Sequence, residues 1–436
     1  MLIDLRIENF RSIKSEEVFS MQSIGKVQEY PDNTINKAGE NLLKAALIYG
    51  RNSSGKSNLL KAFKAIQYLV DQSRNFEVDR SIPCYEPFRY DLSTKSAPTS
   101  FAIQFIAKDG IKYAYEISFT AHEITKENLY FYPNKVKASL YERSPEGIKY
   151  GGKLKGPKKE IEQLLYKNQL YLSKVGTSKQ EQLRPAYEFL SDYLYVQVSH
   201  DSDYDKELLR LIKKIIREEP ESLIIKNLIH LLQQIDTGID TLSYQEQDIR
   251  KLVFAEGFPE DLKQPIIEDW QTELQVSRPI YQAGQLLQMI ESPLSEESTG
   301  TQKFLTVASV ILDALSDGSL IVIDELDKSL HSQLTALLIE LFLSTENNPY
   351  GAQLIFATHD SNLMDSKTFR RDQIWIAEKD AAGSTELYSL GDLKGVRKGI
   401  DYEKYYLEGA FGGLPMLNSY NIQLQFPSLK NKEQNA

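Results

Sequence analysis

The stretch AALIYGRNSSGKSNLL, Ala45 to Leu60, limits the fold more than any other. A short apolar run ends at Gly50, a G-x-x-x-x-G-K-S loop runs from Gly50 to Ser57, and Leu59, Leu60, Phe63 and Ile66 follow at helical spacing. A run apolar on every residue reads as a strand covered on both faces, which a parallel α/β sheet requires. Gly50 and Gly55 let the backbone curl so that its N–H groups face inward, and the helix start adds a positive dipole end. The result is a phosphate cradle. Lys56 is placed to reach the β- and γ-phosphates and Ser57 to ligate Mg²⁺, so ATP with Mg²⁺ is the expected ligand pair.

Two later apolar runs end in chemistry. SLIVIDELDKSLH (Ser319 to His331) finishes its strand in Asp324-Glu325. Adjacent acids at a strand end are costly unless a cation or water uses them. Asp324 is expected to hold Mg²⁺ and Glu325 to act as general base toward the attacking water. QLIFATHD ends in His359, which is suited to hydrogen-bond the γ-phosphate or that water. With DQIWIAE these runs make parallel strands, whose carboxyl ends share one crevice. Asp324, Glu325 and His359 should therefore meet Lys56.

Between these halves the pattern changes. Phe101, Ile103 and Phe105 alternate with small or polar residues, as do Tyr113, Tyr115, Ile117 and Phe119, with Asp109-Gly110 as a hairpin turn between them. An antiparallel lobe over about 101–150 is expected. KELLRLIKKIIREEP and ESLIIKNLIHLLQQI read as two helices parted by Pro220. FLTVASVILDALSDG reads as a helix ending at Gly318. The expected fold class is α/β with a parallel core sheet, an antiparallel β-lobe and an inserted helical segment between the halves. The bounds are 1–200 for the N-terminal half with its lobe, 201–275 for the insertion, 276–420 for the C-terminal half and 421–436 for a polar tail.

These motifs together resemble the SMC/RecF/Rad50-like branch of ABC-type ATPases, and the resemblance implies that the sheet, lobe and helical segment form an ABC-type P-loop ATPase head. GRNSSGKSNLL matches the branch's G-x-N-x-x-G-K-S-N form, which brings Asn52 and Asn58 into the nucleotide-binding set. IENFRSI resembles its opening strand and turn, STGTQK stands at its signature and DKSLH at its D-loop. The resemblance implies an ATP sandwich in a homodimer or higher homo-oligomer, with Ser298 and Gly300 reaching in trans the nucleotide bound at Lys56 of another copy. Ser298-Thr299-Gly300-Thr301 departs from the usual Ser-Gly-Gly-Gln. Gln104 and Gln197 are both candidates for the Q-loop glutamine. THDSNLMD, RRDQIWIAEKD, LYSLGDL and YYLEGAFGGLPML resemble AAA-type ATPases that accompany bacterial phage defence, related to OLD-, PARIS- and Septu-like systems. That resemblance implies a regulatory or sensor subunit controlling a separate effector, a nuclease or toxin encoded nearby.

The signature region also has a local reading. In SEESTGTQKFLTV, Ser298 or Thr299 can cap the N–H groups of a helix start, and the glutamates suit its positive end.

Composition narrows the alternatives. The net charge of −10 weighs against a protein that coats nucleic acid, although a RecF-like DNA-binding repair ATPase stays open as the rival reading and DNA as a possible partner. Lys153, Lys155, Lys158 and Lys159 in GGKLKGPKKE read as a solvated loop rather than a basic patch. The only cysteine leaves no zinc hook, and neither a nuclease acid pair nor an Arg–His ribonuclease spacing is found. Asp201 to Asp203 and the pair His200-Asp201 read as loop rather than metal site. Without a signal pattern or a spanning apolar run, the cytoplasm is the expected compartment and no membrane contact is expected.

Overall fold

The computed structural model describes residues 1–198, 202–248, 252–255 and 257–414. β1 (Leu2–Glu8), β2 (Glu17–Ser20), β3 (Thr34–Lys37) and β4 (Glu40–Leu43) open the chain, and β5 (Ala45–Tyr49) leads through the glycine loop into α1 (Lys56–Gln72). A meander follows: β6 (Thr99–Ile106), β7 (Lys112–Phe119), β8 (Ile124–Phe131), β9 (Ala138–Ser144) and β10 (Gly147–Tyr150). Next come α2 (Lys159–Glu162), α3 (Tyr171–Val175), α4 (Arg184–Ser191) and β11 (Leu194–Gln197). The middle of the chain holds α5 (Ser202–Glu218), α6 (Leu223–Gln234), β12 (Thr241–Glu246), α7 (Glu260–Gln271), β13 (Thr272–Gln282) and β14 (Gln285–Pro293). The last part is α8 (Thr299–Asp317), β15 (Leu320–Ile323), α9 (Ser332–Leu343), β16 (Gln353–Ala357), β17 (Ile374–Lys379), β18 (Thr385–Ser389) and α10 (Tyr402–Leu407).

The strands form a mixed α/β fold with several sheets. The core sheet runs β11-β15-β16-β5-β17-β18, parallel except for β18. Every residue of β5, β15 and β16 is buried. Alternate side chains of these strands enter two cores, because side chains alternate faces along a strand. Ala46, Ile48, Leu320, Val322, Ile355 and Ala357 pack with α1 and the lobe. Leu47, Tyr49, Ile321, Ile323, Leu354 and Phe356 pack with α8, α9 and the insertion helices. α1 buries Leu59, Leu60, Phe63 and Ile66, the face its spacing predicts.

The lobe is a seven-stranded antiparallel sheet, β10-β9-β8-β7-β6-β1-β2, with the expected turn at Asp109-Gly110 between β6 and β7. The opening strand β1 lies in this sheet, burying Leu5 and Ile7 and exposing Arg6 and Glu8. Two buried polar groups tie the layers together. Gln353 in β16 accepts from Leu2 N at 2.6 Å and donates to the carbonyls of Leu2 and Leu43 at 3.2 and 2.9 Å. Glu127, fully buried in β8, accepts from Tyr115, Tyr141, Arg143 and the N–H groups of Tyr171 and Leu172. A buried carboxylate is tolerated only with partners of this number and kind.

The segment expected to be a helical insertion holds α5, α6 and α7, and strands as well. β12 and β13 pair antiparallel, and β14 completes a three-stranded sheet that runs on to Pro293. The runs TLSYQE and QVSRPIYQAGQLLQMI alternate poorly, and their turn, Ala283-Gly284, lacks the Asn or Asp of a strong hairpin signal. His200, Asp201 and the polar tail lie outside the described residues, as do the side chains of Ser202 and Asp203.

Candidate active site

The candidate groups lie at the carboxyl edge of the core sheet. β5 delivers Gly50, and the loop turns with φ of 148° at Gly50, 64° at Ser53 and 115° at Gly55. A Cβ on Gly50 would sit 2.3 Å from the Ala377 carbonyl oxygen of β17, and one on Gly55 would sit 2.1 Å from Thr385 Oγ1 of β18. Both glycines are thus required by φ and by the strands pressing on the loop.

No side chain caps the start of α1. Its first N–H groups are the unpaired donors of any helix start, and they suit an anion. Lys56 is buried, its Nζ donating to the carbonyls of Gly50 at 2.7 Å and Arg51 at 3.4 Å. Burial pulls the Lys56 pKa below its ordinary value, while Asp324, Glu325 and Asp327 push it back up. Ser54 Oγ is buried in the same loop without a protein partner. A glycine cradle, a lysine facing three carboxylates, the Ser57 hydroxyl and the buried Asp324 form a donor set that fits a phosphate chain with Mg²⁺.

Asn58 is engaged within the protein. Its amide donates to Ser12 Oγ at 2.7 Å, Ser12 Oγ lies 2.8 Å from Thr385 Oγ1, and Thr385 donates to the Ser54 carbonyl at 2.8 Å. Because Thr385 spends its proton on Ser54, Ser12 donates to Thr385 and accepts from Asn58. Asn58 therefore anchors the loop to the β1–β2 turn and to β18. Asn52 is exposed, on a cleft of about 560 Å³ whose lining includes Gly50, Arg51, Ser53, His359 and Lys379.

Asp324 follows β15, and its N–H donates to the Gln197 carbonyl at 2.9 Å. Glu325 turns left-handed, φ 52°, in a loop closed by Lys328 N to the Glu325 carbonyl at 3.0 Å. A non-glycine residue in that region stores strain of about 1–3 kcal/mol, the kind that clusters at functional sites. Asp327 joins the group, with Oδ1 buried and without a protein partner. Asp327 was not among the sequence candidates, though it is the third acid of D-E-L-D. His359 follows β16 at the same edge. Burial, then Lys56, pulls its pKa below the ordinary value, against the opposing pull of Glu325, Asp327 and Asp324.

The two glutamine candidates part company. Gln197 ends β11 beside Asp324, and it lines a small cleft with Asp324 and Glu325. Gln104 sits in β6 on the lobe sheet, opposite Asp4.

Ser298 caps α8, accepting from Thr301 N at 3.1 Å, and is exposed. A Cβ on Gly300 would lie 3.1 Å from the Ser329 carbonyl, so the helix start sits close against the loop after Glu325. Arg278 of β13 grips Glu297, just before the cap, through two bonds of 2.7 Å, and Lys303 pairs with Asp205 of α5 at 2.8 Å. The insertion thus holds the first turn of α8. Lys153 and Lys155 are exposed on a loop whose backbone is clipped by Gln180 and Gln182, and Lys159 is exposed at the start of α2.

Residues 45–365 match the family described as "AAA domain, putative AbiEii toxin, Type IV TA system". The chain belongs to this family of AAA-domain ATPases. No curated protein matches it. Among solved structures it is similar to an SMC head bound to the C-winged helix domain of ScpA, at 14% identity over 93% of this chain and 99% of that one, TM-score 0.44. It is also similar to the SMC head domain from Thermotoga maritima, at 14% identity over 89% and 98%, TM-score 0.40. A third similar structure is the recombination mediator RecF with ATPrS in the RecFOR pathway, at 12% identity over 89% and 98%, TM-score 0.36. Among the described residues no helix is long and apolar enough to cross a membrane.

Proposed function

We propose that the chain binds ATP with Mg²⁺ between two copies and hydrolyses it, as the regulatory or sensor subunit of a bacterial anti-phage system whose effector is a separate protein. The observation that carries the ATPase reading is the meeting of Lys56, Asp324, Glu325, Asp327 and His359 in one electrostatic group beneath an uncapped helix start. The loop N–H groups and Lys56 bind the phosphates, and Ser57 and Asp324 hold the metal. Held by Ser57 and Asp324, Mg²⁺ would supply positive charge against the phosphates. Glu325 orients a water and takes its proton as the oxygen attacks the γ-phosphorus and ADP leaves. His359 donates to the γ-phosphate or steadies that water. Ser298 and Gly300 of a second copy close the site.

The regulatory part is supported by the C-terminal segment, the region resembling defence ATPases, which is built onto the loop. Tyr406 packs on Tyr49 with ring centres 5.7 Å apart, Ser361 donates to Glu403 at 2.7 Å, and a Cβ on Gly413 would lie 3.4 Å from Gly50 Cα. A shift in this segment would reach the phosphate loop directly.

Glu325→Gln tests the catalytic assignment. It should keep ATP binding and lower phosphate release about 100-fold or more; near wild-type turnover would refute Glu325 as base. The regulatory reading is tested by phage plating with and without the neighbouring reading frames. Protection that needs no second protein would count against it.

A further inference from the structure

We propose that the hairpin β13–β14 is a docking arm for a second copy of this chain, with the two β14 strands pairing edge to edge and antiparallel. This goes beyond the ATP sandwich and requires no nucleotide.

β12 stops opposite Ser277, so beyond that point neither side of the hairpin has a neighbouring strand among the described residues. The two edges differ. On the β13 side Pro279 interrupts the row of donors, a common protection of an edge. On the β14 side nothing comparable occurs from Gln285 to Ile290. Pro279 lies opposite Met289. A pair that contains proline cannot exchange two N–H···O bonds, so Met289 turns its own N–H outward. The open edge is therefore furnished with a donor where it matters.

Charge points to the same edge. From Pro279 to Ile290, PIYQAGQLLQMI, there is no charged residue, in a chain that is 26% charged with net charge −10. Two copies repel over most of their surfaces, and an uncharged strip is where they meet at least Coulomb cost. Natural edges are usually guarded by lysine or another charge, and this one is not. An antiparallel pair of identical strands is its own complement, which is the isologous geometry of a two-fold dimer.

The arm also carries apolar surface. Tyr281, Leu286 and Leu287 are 63%, 59% and 60% exposed, and Met289 and Ile290 are 41% and 44% exposed. Pro279, Tyr281, Leu286 and Met289 share one face of the ribbon by register. These side chains present roughly 500 Å² per copy, which sets about 1,000 Å² as the ceiling for the pair, since pairing covers the flanks of side chains beside the β14 edge rather than the faces of the ribbon. The arm runs straight into the signature: β14 ends at Pro293 and Ser298 caps α8. Pairing here and an ATP sandwich use different patches, so together they would build assemblies larger than a dimer.

The test is the mass of the full chain without nucleotide, by light scattering at tens of micromolar. Wild type should be dimeric. Leu287→Lys with Met289→Lys should weaken the dimer at least 100-fold and give a monomer with an unchanged circular dichroism spectrum. Met289→Pro, which removes the outward donor and keeps the position apolar and uncharged, should also dissociate it. A monomeric wild type overturns the proposal and leaves the arm to a different partner. Unchanged mass in the lysine variant overturns it as well. Dissociation by the lysines with none by the proline overturns edge pairing.

Discussion

α1 and α8 both begin at the carboxyl edge of the molecule's core, and their first turns are finished in opposite ways. α1 starts at Gly55 without a capping side chain, wedged so tightly against Thr385 that a methyl group would not fit. α8 starts at Ser298, whose hydroxyl caps the helix and is exposed. The first leaves its donors for a ligand and is held against β17 and β18. The second is stable alone and is steered from outside, through Arg278 and Glu297. A helix start that lacks its own cap is the natural anion site, whereas a self-capped one adds a contact only when something is brought to it.

This contrast can be broken at either end. Lys56→Ala should weaken ATP binding about 100-fold, the loss of a charge-assisted contact, in a titration with fluorescent nucleotide. Ser298→Arg should leave that titration unchanged and lower phosphate release about 100-fold, because the second copy could no longer close the site. If Ser298→Arg hydrolyses ATP normally, Ser298 is a cap and nothing more.

A smaller effect separates His359 from the carboxylates. Its folded pKa lies below the ordinary 6.5, so the unfolded chain takes the proton more readily. Stability from this group is full above pH 6.5 and falls as the pH drops toward its lowered pKa. The acid limb of the pH–rate profile should likewise sit below pH 6.5, and His359→Asn should remove it with roughly a tenfold loss of rate. The smallest effect belongs to the tether. Glu297→Gln should cost about 1 kcal/mol in urea unfolding and lower hydrolysis a few-fold without touching ATP affinity.

What could be read in the sequence followed the range of the interactions involved. The loop, its strand and its helix are local, and Gly50, Gly55 and the face of α1 lie where their spacing put them. The parallel strands were legible because burial on both faces makes them apolar throughout. Asn58 was assigned by motif to the nucleotide, and its protein partner Ser12 is 46 residues away, with Thr385 behind Ser12. No local pattern encodes that chain. β11 has only four residues and pairs with β15, far along the chain. The β12–β14 sheet escaped because β13 buries consecutive residues in its first half, Leu274 to Ser277, and leaves its end and most of β14 exposed, so neither half alternates apolar and polar residues.

The loop's dependence on β16, β17 and β18 has a consequence for synthesis. Thr385, which donates to the Ser54 carbonyl, lies 331 residues downstream of it, and β5 finds its sheet neighbours only in β16 and β17. At roughly 5–20 residues per second, a ribosome spends some tens of seconds between making the loop and making the strands that shape it. Throughout that interval the emerging chain carries the glycine-loop motif without the strands that press it into shape, so an unfinished copy lacks the proposed site.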